Sequence, residues 1–295
     1  MLKIIDYDSA ERMEEPCVLM LGYFDGMHIG HRALLHAAMN RAAKENLKVG
    51  VMTFYGGKKG GQVYVFDERV RLFESLGADF ALAARFDDAF RRTEKQDFLR
   101  AVFAKCNVRA LVCGEDFTFG RDAAGTAEDV KRAAFEHGAS LTVLPLVGIY
   151  EHKAAASLAK EYLAAGDVEK LNQLLGGRYF VAGRVSTEGR RVGSKLGFPT
   201  ANLHLSNEKF PLRQGVYAVS VPIGGREFRG IANYGARPTF GDERVVLEVY
   251  LDGYKGDLYG EEIVVYFDGR LRDIRKFESA DALIAQLKID LEKIR

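Results

Sequence analysis

Short apolar runs alternate with amphipathic segments along the first half of the chain. The short apolar runs predict strands. The five predicted strands are Cys17–Gly22, Leu47–Phe54, Asp79–Ala83, Val108–Gly114 and Ser140–Leu146. The four helices predicted between them are His31–Glu45, Asp67–Leu76, Thr93–Lys105 and Thr126–Glu136. This alternation is typical of a parallel sheet covered by helices, and it predicts an α/β domain over residues 1–155.

The hydrophobic pattern changes after about residue 155. A helical pattern over Ser157–Leu175, broken at Gly166-Asp167, predicts a helical connection over residues 156–177. Closely spaced strands without intervening helices then predict an antiparallel β-barrel domain over residues 178–295. Its predicted strands are Tyr179–Val185, Gly215–Val221, Glu227–Asn233, Arg244–Leu251 and Glu262–Phe267. A last helix is expected after Ser279.

Composition narrows the class of protein. The chain has 295 residues, enough for two domains with a core each. With 42 basic and 41 acidic side chains the net charge is +1, so neither nucleic acid nor a membrane surface is expected as a partner. Three scattered cysteines are too few for a disulfide framework. No apolar run approaches the roughly 20 residues of a membrane-spanning helix. We therefore expect a cytoplasmic protein. The sequence favours no particular oligomeric state.

The segment Gly22–His31 joins the first predicted strand to the first predicted helix and reads Gly-Tyr-Phe-Asp-Gly-Met-His-Ile-Gly-His. At such a junction the strand's carboxyl end and the helix's positive end face one crevice, where open α/β sheets bind ligands. The imidazoles of His28 and His31, with only Gly30 and Ile29 between them, can approach a triphosphate. They can donate hydrogen bonds to the charge that develops in adenylyl transfer. The alternative is a turn with two surface histidines.

This segment resembles the His-x-Gly-His signature of nucleotidyltransferases, and in particular the adenylyltransferase half of bacterial bifunctional riboflavin kinase/FAD synthetases. The similarity continues through Phe66–Phe98 and Gly114–Gly120. It implies a nucleotidyltransferase-like (Rossmann-like) fold and the adenylylation of FMN by ATP to give FAD. The resemblance assigns His28 and His31 to catalysis and Asp116 and Phe117 to flavin binding. It assigns to nucleotide binding Gly22, Phe24, Asp25 and Gly30.

Two segments depart from that family where it binds nucleotide. Where the family has a His-Pro segment, this chain has Gly56–Gly61, which contains Lys58 and Lys59. Where the family has Ile-Ser-Ser-Thr-x-Ile-Arg, this chain has Ala-Ala-Ala-Ser-Leu-Ala-Lys at residues 154–160. Alanine offers no donor, and lysine lacks arginine's planar fork. Either the glycine segment forms a substitute phosphate cradle, or the N-terminal half binds flavin or nucleotide without catalysis.

A glycine-rich basic loop at residues 189–197 precedes a second cluster of polar residues, Thr200 and Asn202. Its glycines permit a close approach to a ligand, and its basic side chains suit a flap over polyphosphate. Beyond the loop, Thr200 and Asn202 alternate along an extended segment and would present their oxygens to one side. Such neutral oxygens suit Mg²⁺, which shares the phosphates of a nucleotide. A solvated hairpin is the alternative.

The string Gly-Phe-Pro-Thr-Ala-Asn at residues 197–202 resembles the riboflavin kinase domain, and the similarity continues through Asn233–Phe240, Leu247–Leu251 and Leu271–Asp273. It implies a barrel of riboflavin kinase type that phosphorylates riboflavin to FMN with ATP and Mg²⁺. The resemblance assigns Glu248 to catalysis, Thr200 and Asn202 to metal binding, and Arg272 to contact with the flavin or a phosphate. It assigns to nucleotide binding Gly189, Gly193, Lys195, Gly197, Phe198, Pro199 and Asn233.

Glu248 lies between Leu247 and Val249 in a predicted strand and so points to the opposite face from both. If that face is the barrel interior, the carboxylate is partly desolvated and more basic, as a base that accepts a hydroxyl proton should be. A solvent-facing strand glutamate is the alternative. Arg272 equally fits a salt bridge at the rim.

Three functions therefore compete. The first is a bifunctional enzyme that makes FMN and then FAD. The second is a riboflavin kinase whose N-terminal half only binds a ligand. The third, from another class, is a flavin or nucleotide sensor without turnover.

Overall fold

The computed structural model describes residues 2–9, 11–56, 60–149, 152–186, 200–237 and 242–294. Its contacts divide the chain into two compact units, Met1–Leu158 and Ala159–Arg295. Most of the helical segment expected to connect two domains therefore belongs to the second unit. The predicted domain limits at residues 155 and 177 stay a prediction.

The first unit is built on a six-stranded sheet in which every pair of neighbouring strands is parallel. Its strands are β1 (Lys3–Asp6), β2 (Met13–Leu21), β3 (Lys48–Tyr55), β4 (Phe80–Arg85), β5 (Cys106–Gly114) and β6 (Ser140–Leu144), in the spatial order β1-β4-β3-β2-β5-β6. Its helices are α1 (Ile29–Glu45), α2 (Phe66–Ser75), α3 (Asp88–Arg91), α4 (Lys95–Lys105) and α5 (Ala127–Glu136). The parallel α/β domain is confirmed.

Alternation along the central strand β2 places side chains in two hydrophobic layers. Leu19 and Leu21 join the layer that contains Phe98 of α4, whereas Val18 and Met20 join the layer that contains Leu35 of α1. Helices therefore cover both faces of the sheet. The ends of β2, β5 and β6 then open into one crevice above the sheet, as in other open α/β folds.

Some short elements of the first unit have no counterpart in the sequence prediction. Strand β1 is four residues long and pairs only with β4, and its Ile4 is largely exposed, so it shows little hydrophobic pattern. A two-stranded hairpin follows β6, formed by β7 (Gly148–Ile149) and β8 (His152–Lys153). Two-residue strands are too short to produce a detectable period.

The second unit contains two helices, a curled antiparallel sheet and a last helix. Its helices are α6 (Ala156–Ala165, beginning just before the unit), α7 (Val168–Leu175) and α8 (Ala280–Glu292). Its strands are β9 (Phe180–Arg184), β10 (Thr200–Leu203), β11 (Gly215–Ile223), β12 (Arg226–Arg237), β13 (Asp242–Leu251) and β14 (Glu262–Arg272), in the order β10-β13-β12-β11-β14-β9. A bridge between Val185 and Leu203 brings the two edges of this sheet together. The antiparallel barrel is thus confirmed.

The two faces of this sheet are covered differently. The barrel interior holds side chains such as Tyr217, Phe267 and Tyr179, whose rings contact one another with centroids 5.5 and 5.6 Å apart. On the outer face, Val216 and Ile231 pack against Leu291 of α8. Ser279 caps that helix, since its Oγ accepts a hydrogen bond from the Ala282 N–H at 3.2 Å.

Candidate active sites

The loop between β2 and α1 has a tight, partly left-handed backbone. Phe24 and Met27 have φ values of +58° and +43°, and Gly26 has +86°. The Phe24 ring is buried and lies over Gly22, where an added Cβ would come within 2.8 Å of it. Left-handed conformations of non-glycine residues are strained and concentrate at functional sites. The loop thus leads on a constrained backbone to His28, which precedes α1, and to His31 in the first turn of that helix.

The imidazole of His28 stacks on the imidazole of His31, which lies in the first turn of α1. The ring centroids of His28 and His31 are 3.6 Å apart, with an angle of 23° between the planes. His28 directly precedes helix α1, and its Nδ1 is buried without a hydrogen-bond partner among the described residues. Gly30 makes room for this ring, because a Cβ there would lie 3.2 Å from His28 Nδ1. An orphaned, buried ring nitrogen at a helix N-terminus suits an incoming phosphate.

Burial sets the charge of His28. Its side chain is 7% exposed, and desolvation lowers its pKa from 6.5 to about 4, against the smaller opposing effects of the Asp116 and Asp25 carboxylates. The ring is therefore neutral at pH 7. A neutral imidazole can donate one hydrogen bond to a phosphoryl oxygen and carries no permanent charge that a ligand must match.

Asp25 has a structural position beneath the loop. It is buried, and its Oδ1 accepts hydrogen bonds from the backbone N–H groups of Val63 at 2.8 Å and Tyr64 at 3.4 Å. The carboxylate thus ties the strand-to-helix loop to the segment before α2. Its expected role in nucleotide binding stays a prediction.

These residues line one cleft of about 680 Å³ at the carboxyl ends of the strands. The expected nucleotide residues and the expected flavin residues Asp116 and Phe117 all lie around it. One part of its wall is polar and holds the two histidines and Asp116. The rest is a run of contacting aromatic rings formed by Phe54, Phe86, Phe90, Phe98, Phe119 and Phe117. A flat heterocycle fits the aromatic wall, and a phosphate chain fits the polar one.

The segments that depart from the family differ in what they bring to the cleft. Ala155 and Ala156 line it and offer no hydrogen-bond donor from their side chains. Lys160 belongs to the second unit, where its Nζ lies 5.4 Å from the centroid of the Phe210 ring. Lys58 and Lys59 lie outside the described residues. The cleft does contain a cation that the sequence analysis missed, Lys153, whose Nζ is 2.5 Å from Asp116 Oδ2.

In the second unit a polar row crosses three adjacent strands. Asn202 of β10 is the cross-strand partner of Glu248 on β13, and Glu248 is the partner of Asn233 on β12. Cross-strand partners have Cβ atoms about 4.5–5.5 Å apart. Thr200, two residues before Asn202, lies on the same face opposite Tyr250. Register therefore brings together the expected base, the two expected metal ligands and one expected nucleotide residue.

The face that carries this row is not the one expected for Glu248. Leu247 and Val249 are 0% and 1% exposed and fill the barrel interior, so Glu248 points to the outer face, and it is partly exposed. That outer face also carries Val216 and Ile231, which pack under α8. Of the two alternatives left open for Glu248, a place inside the barrel is wrong, because the interior positions of this strand are taken by apolar side chains.

Arg272 is held by the C-terminal helix. Its Nε donates to Oδ2 of Asp290 at 2.8 Å, and Asp290 is fully buried and also accepts from Gln286 Nε2 at 2.8 Å. The guanidinium lies 5.7 Å from the centroid of the Phe277 ring. The structure thus shows the salt bridge, and a contact of Arg272 with flavin or phosphate stays a prediction.

The remaining expected nucleotide residues of this half are in the loop before β10. Gly189, Gly193, Lys195, Gly197, Phe198 and Pro199 lie outside the described residues. Within the described ranges, no group of three or more His, Cys, Asp or Glu side chains is placed to hold a metal ion. Among the helices of the described residues, none is long and apolar enough to cross a membrane.

Comparison with known proteins relates both units to one group of enzymes. A model of the FAD synthetase family matches residues 10–158, and a model of the riboflavin kinase family matches residues 175–295. The bifunctional riboflavin kinase/FMN adenylyltransferase of Escherichia coli K12 is 33% identical over 294 residues, which cover 96% of this chain and 93% of that protein. The protein of the same description from Bacillus subtilis 168 is 31% identical, with 94% and 90% covered.

A solved structure is similar over the full length of the chain. It is described as a macrolide-efflux protein from Streptococcus pneumoniae, with 31% identity and a TM-score of 0.85, and the match covers 100% of this chain and 99% of that one. The two-unit architecture described above is therefore shared with an experimentally solved protein.

Proposed function

The chain belongs to the family of bifunctional riboflavin kinase/FMN adenylyltransferases, and from this premise we propose how its two units convert riboflavin to FMN and FMN to FAD with ATP. The observation that carries the assignment is that both family models match, one on each unit, in a chain similar to bifunctional relatives over nearly its whole length. The geometry of each unit supports one of the two reactions.

In the second unit, Glu248 is the proposed base for phosphorylation. The terminal hydroxyl of riboflavin attacks the γ-phosphorus of ATP as the bond from that phosphorus to its bridging oxygen breaks and ADP leaves, and Glu248 accepts the proton of that hydroxyl. Its neighbours across the sheet, Asn202 and Asn233, bear amides that orient the alcohol and the nucleotide by hydrogen bonds. The strands fix these three side chains in register, so little reorganisation is needed when the substrates bind.

The same face offers oxygen ligands that fit Mg²⁺. Thr200 and Asn202 alternate with the buried Ala201 and Leu203, so both side chains lie on the face of Glu248. Hydroxyl and amide oxygens suit Mg²⁺, which keeps several waters and shares the phosphates of its nucleotide. When bound, the ion supplies positive charge to the transferring phosphoryl group. Thr200 and Asn202 would hold it with the nucleotide's own oxygens.

In the first unit, the cleft is the proposed site of FMN adenylylation. The isoalloxazine ring stacks on the aromatic wall that includes Phe117, and the phosphates lie at the polar wall beside His28 and His31. The neutral His28 ring donates a hydrogen bond to the α-phosphate as charge develops there. Helix α1, which begins at Ile29, adds the positive end of its dipole.

One observation favours a second candidate, a kinase whose N-terminal unit only binds flavin or nucleotide. Ala155 and Ala156 line the cleft where the family carries hydroxyls, so phosphate contacts are lost there. Purified protein incubated with riboflavin, ATP and Mg²⁺ separates the candidates when FMN and FAD are resolved. We expect FAD. FMN as the sole product would assign the chain to the second candidate, and no new flavin would contradict both.

A further inference from the structure

Lys153 is a charged residue of the cleft with no assigned role. It lies on β8, and its Nζ is 2.5 Å from Asp116 Oδ2, with both side chains about half exposed. Among the described residues that line the cleft, Lys153 and Arg91 are the two that carry a permanent positive charge. Arg91 lies over the Phe86 ring at 5.0 Å and pairs with Asp88, on the aromatic wall. Lys153 is thus the cation of the polar wall.

Lys153 lines the same cleft as the two histidines, and its charge acts on one of them. The ammonium of Lys153 lowers the pKa of His28, and the carboxylate of Asp116 raises it. Both charges therefore act on the ring that precedes helix α1. A phosphate that reaches His28 enters the field of Lys153.

The hairpin that carries Lys153 is anchored to the cleft wall. Lys153 pairs with Gly148 across the hairpin, and the N–H of Ala154 donates to the carbonyl of Val147 at 2.9 Å. The segment that follows brings only methyl groups to the cleft, and Lys160 contacts Phe210. The positive charge that this stretch of the chain gives to the cleft therefore comes from β8 and not from α6.

We propose that Lys153 binds the phosphates of ATP during adenylyl transfer and supplies the positive charge that this chain's alanine-rich segment lacks; this rests on the proposed function of the cleft. In the reaction a phosphate oxygen of FMN forms a bond to the α-phosphorus of ATP. The bond from that phosphorus to the bridging oxygen breaks, and its electron pair leaves with pyrophosphate. Lys153 stabilises that growing negative charge. Asp116 is a positioning residue that holds the ammonium in the cleft before ATP enters.

The test compares full-length wild type with Lys153→Met, Lys153→Arg and the matched control Lys160→Met. Each protein is given FMN, ATP and Mg²⁺, and FAD formation is measured over a range of ATP and of FMN concentrations. Lys153→Met should lower kcat/KM for ATP about 10- to 100-fold, the usual effect of one charged hydrogen bond, and leave KM for FMN nearly unchanged. Lys153→Arg should restore most of the loss. Lys160→Met should match wild type.

Two further measurements separate the possible outcomes. Riboflavin phosphorylation by the same preparations should be equal in all four proteins, which shows that the second unit is intact, and equal circular dichroism shows that the α/β unit is folded as well. Binding of ATP, followed by isothermal titration calorimetry, should weaken about 10-fold at one of the two nucleotide sites in Lys153→Met even if wild type makes no FAD; that combination would refute adenylylation and keep Lys153 as a phosphate-binding residue. If ATP binding at both sites, or kcat/KM for ATP in FAD formation, is within twofold of wild type in Lys153→Met, the inference is wrong.

Discussion

The two proposed sites are built in different ways. The cleft of the first unit is made by loops at the ends of parallel strands, with a left-handed backbone at Phe24 and Met27 and a buried, neutral His28. The site of the second unit is a row of side chains on the face of an antiparallel sheet, placed by the register of Asn202, Glu248 and Asn233. The first depends on local loop geometry, and the second on strand pairing.

A site made by loops can change its side chains without disturbing the sheet beneath it. Ala155 and Ala156, where the chain enters α6, bring no side-chain donor to the cleft. A residue in the polar row is also part of the barrel's hydrogen-bonded ladder and is harder to move. The following predictions test whether the two sites are independent, in order of decreasing expected effect.

The largest effect is expected for Glu248→Gln. Removing the base should lower kcat for riboflavin phosphorylation about 10²- to 10⁴-fold, the range for general base catalysis. Adenylylation of added FMN should continue at the wild-type rate, because Glu248 lies in the other unit. Both rates are measured by separating the flavins. Unchanged phosphorylation would remove Glu248 from its proposed role.

His28→Ala tests the converse. The loss of one donor to the reacting phosphate should lower FAD formation about 10²- to 10³-fold and spare riboflavin phosphorylation. An equal fall in the two rates would show that the units do not work independently. Circular dichroism of the variant checks that the α/β unit remains folded.

A smaller effect, on stability, is expected at Arg272. Arg272→Met leaves the carboxylate of Asp290 buried without its cation, which should cost about 3 kcal/mol and lower the melting temperature of the barrel. Adding Asp290→Leu should recover most of the loss, because the uncompensated charge is then gone. A normal melting temperature in Arg272→Met with a raised KM for riboflavin would instead make Arg272 a flavin contact.

The smallest effect is the pH dependence of stability due to His28. Its folded pKa of about 4 lies below the ordinary value of 6.5, so the unfolded chain takes up the proton first. Its contribution to stability is full above pH 6.5 and is lost as pH falls toward 4, on the order of 2 kcal/mol at pH 5. Urea unfolding at pH 7 and pH 5 should show a smaller acid-induced loss in His28→Gln than in wild type. Equal losses would contradict a buried, neutral His28.

Features that rest on neighbouring residues were predicted well. The five strands and four helices predicted for the first unit follow from their hydrophobic periods and correspond to β2–β6 and to α1, α2, α4 and α5, and the segment Gly22–His31 places both histidines through local backbone geometry. Lys153 was not predicted, because its contact with Asp116 joins residues 37 positions apart in the chain. The sequence analysis did not predict the short edge strand β1 or the β7–β8 hairpin, because these elements contain too few buried side chains to form a hydrophobic pattern.

The sequence by itself determined that Glu248 points away from Leu247 and Val249, since side chains alternate along any strand. Only the tertiary structure decided which of the two faces is the barrel interior. That choice depends on how the six strands pair and curl and on where α8 packs, and these are interactions between residues distant in the chain. The same reason applies to the cleft: its histidines are set by one loop, and the charges that face them come from separate segments that meet only on folding.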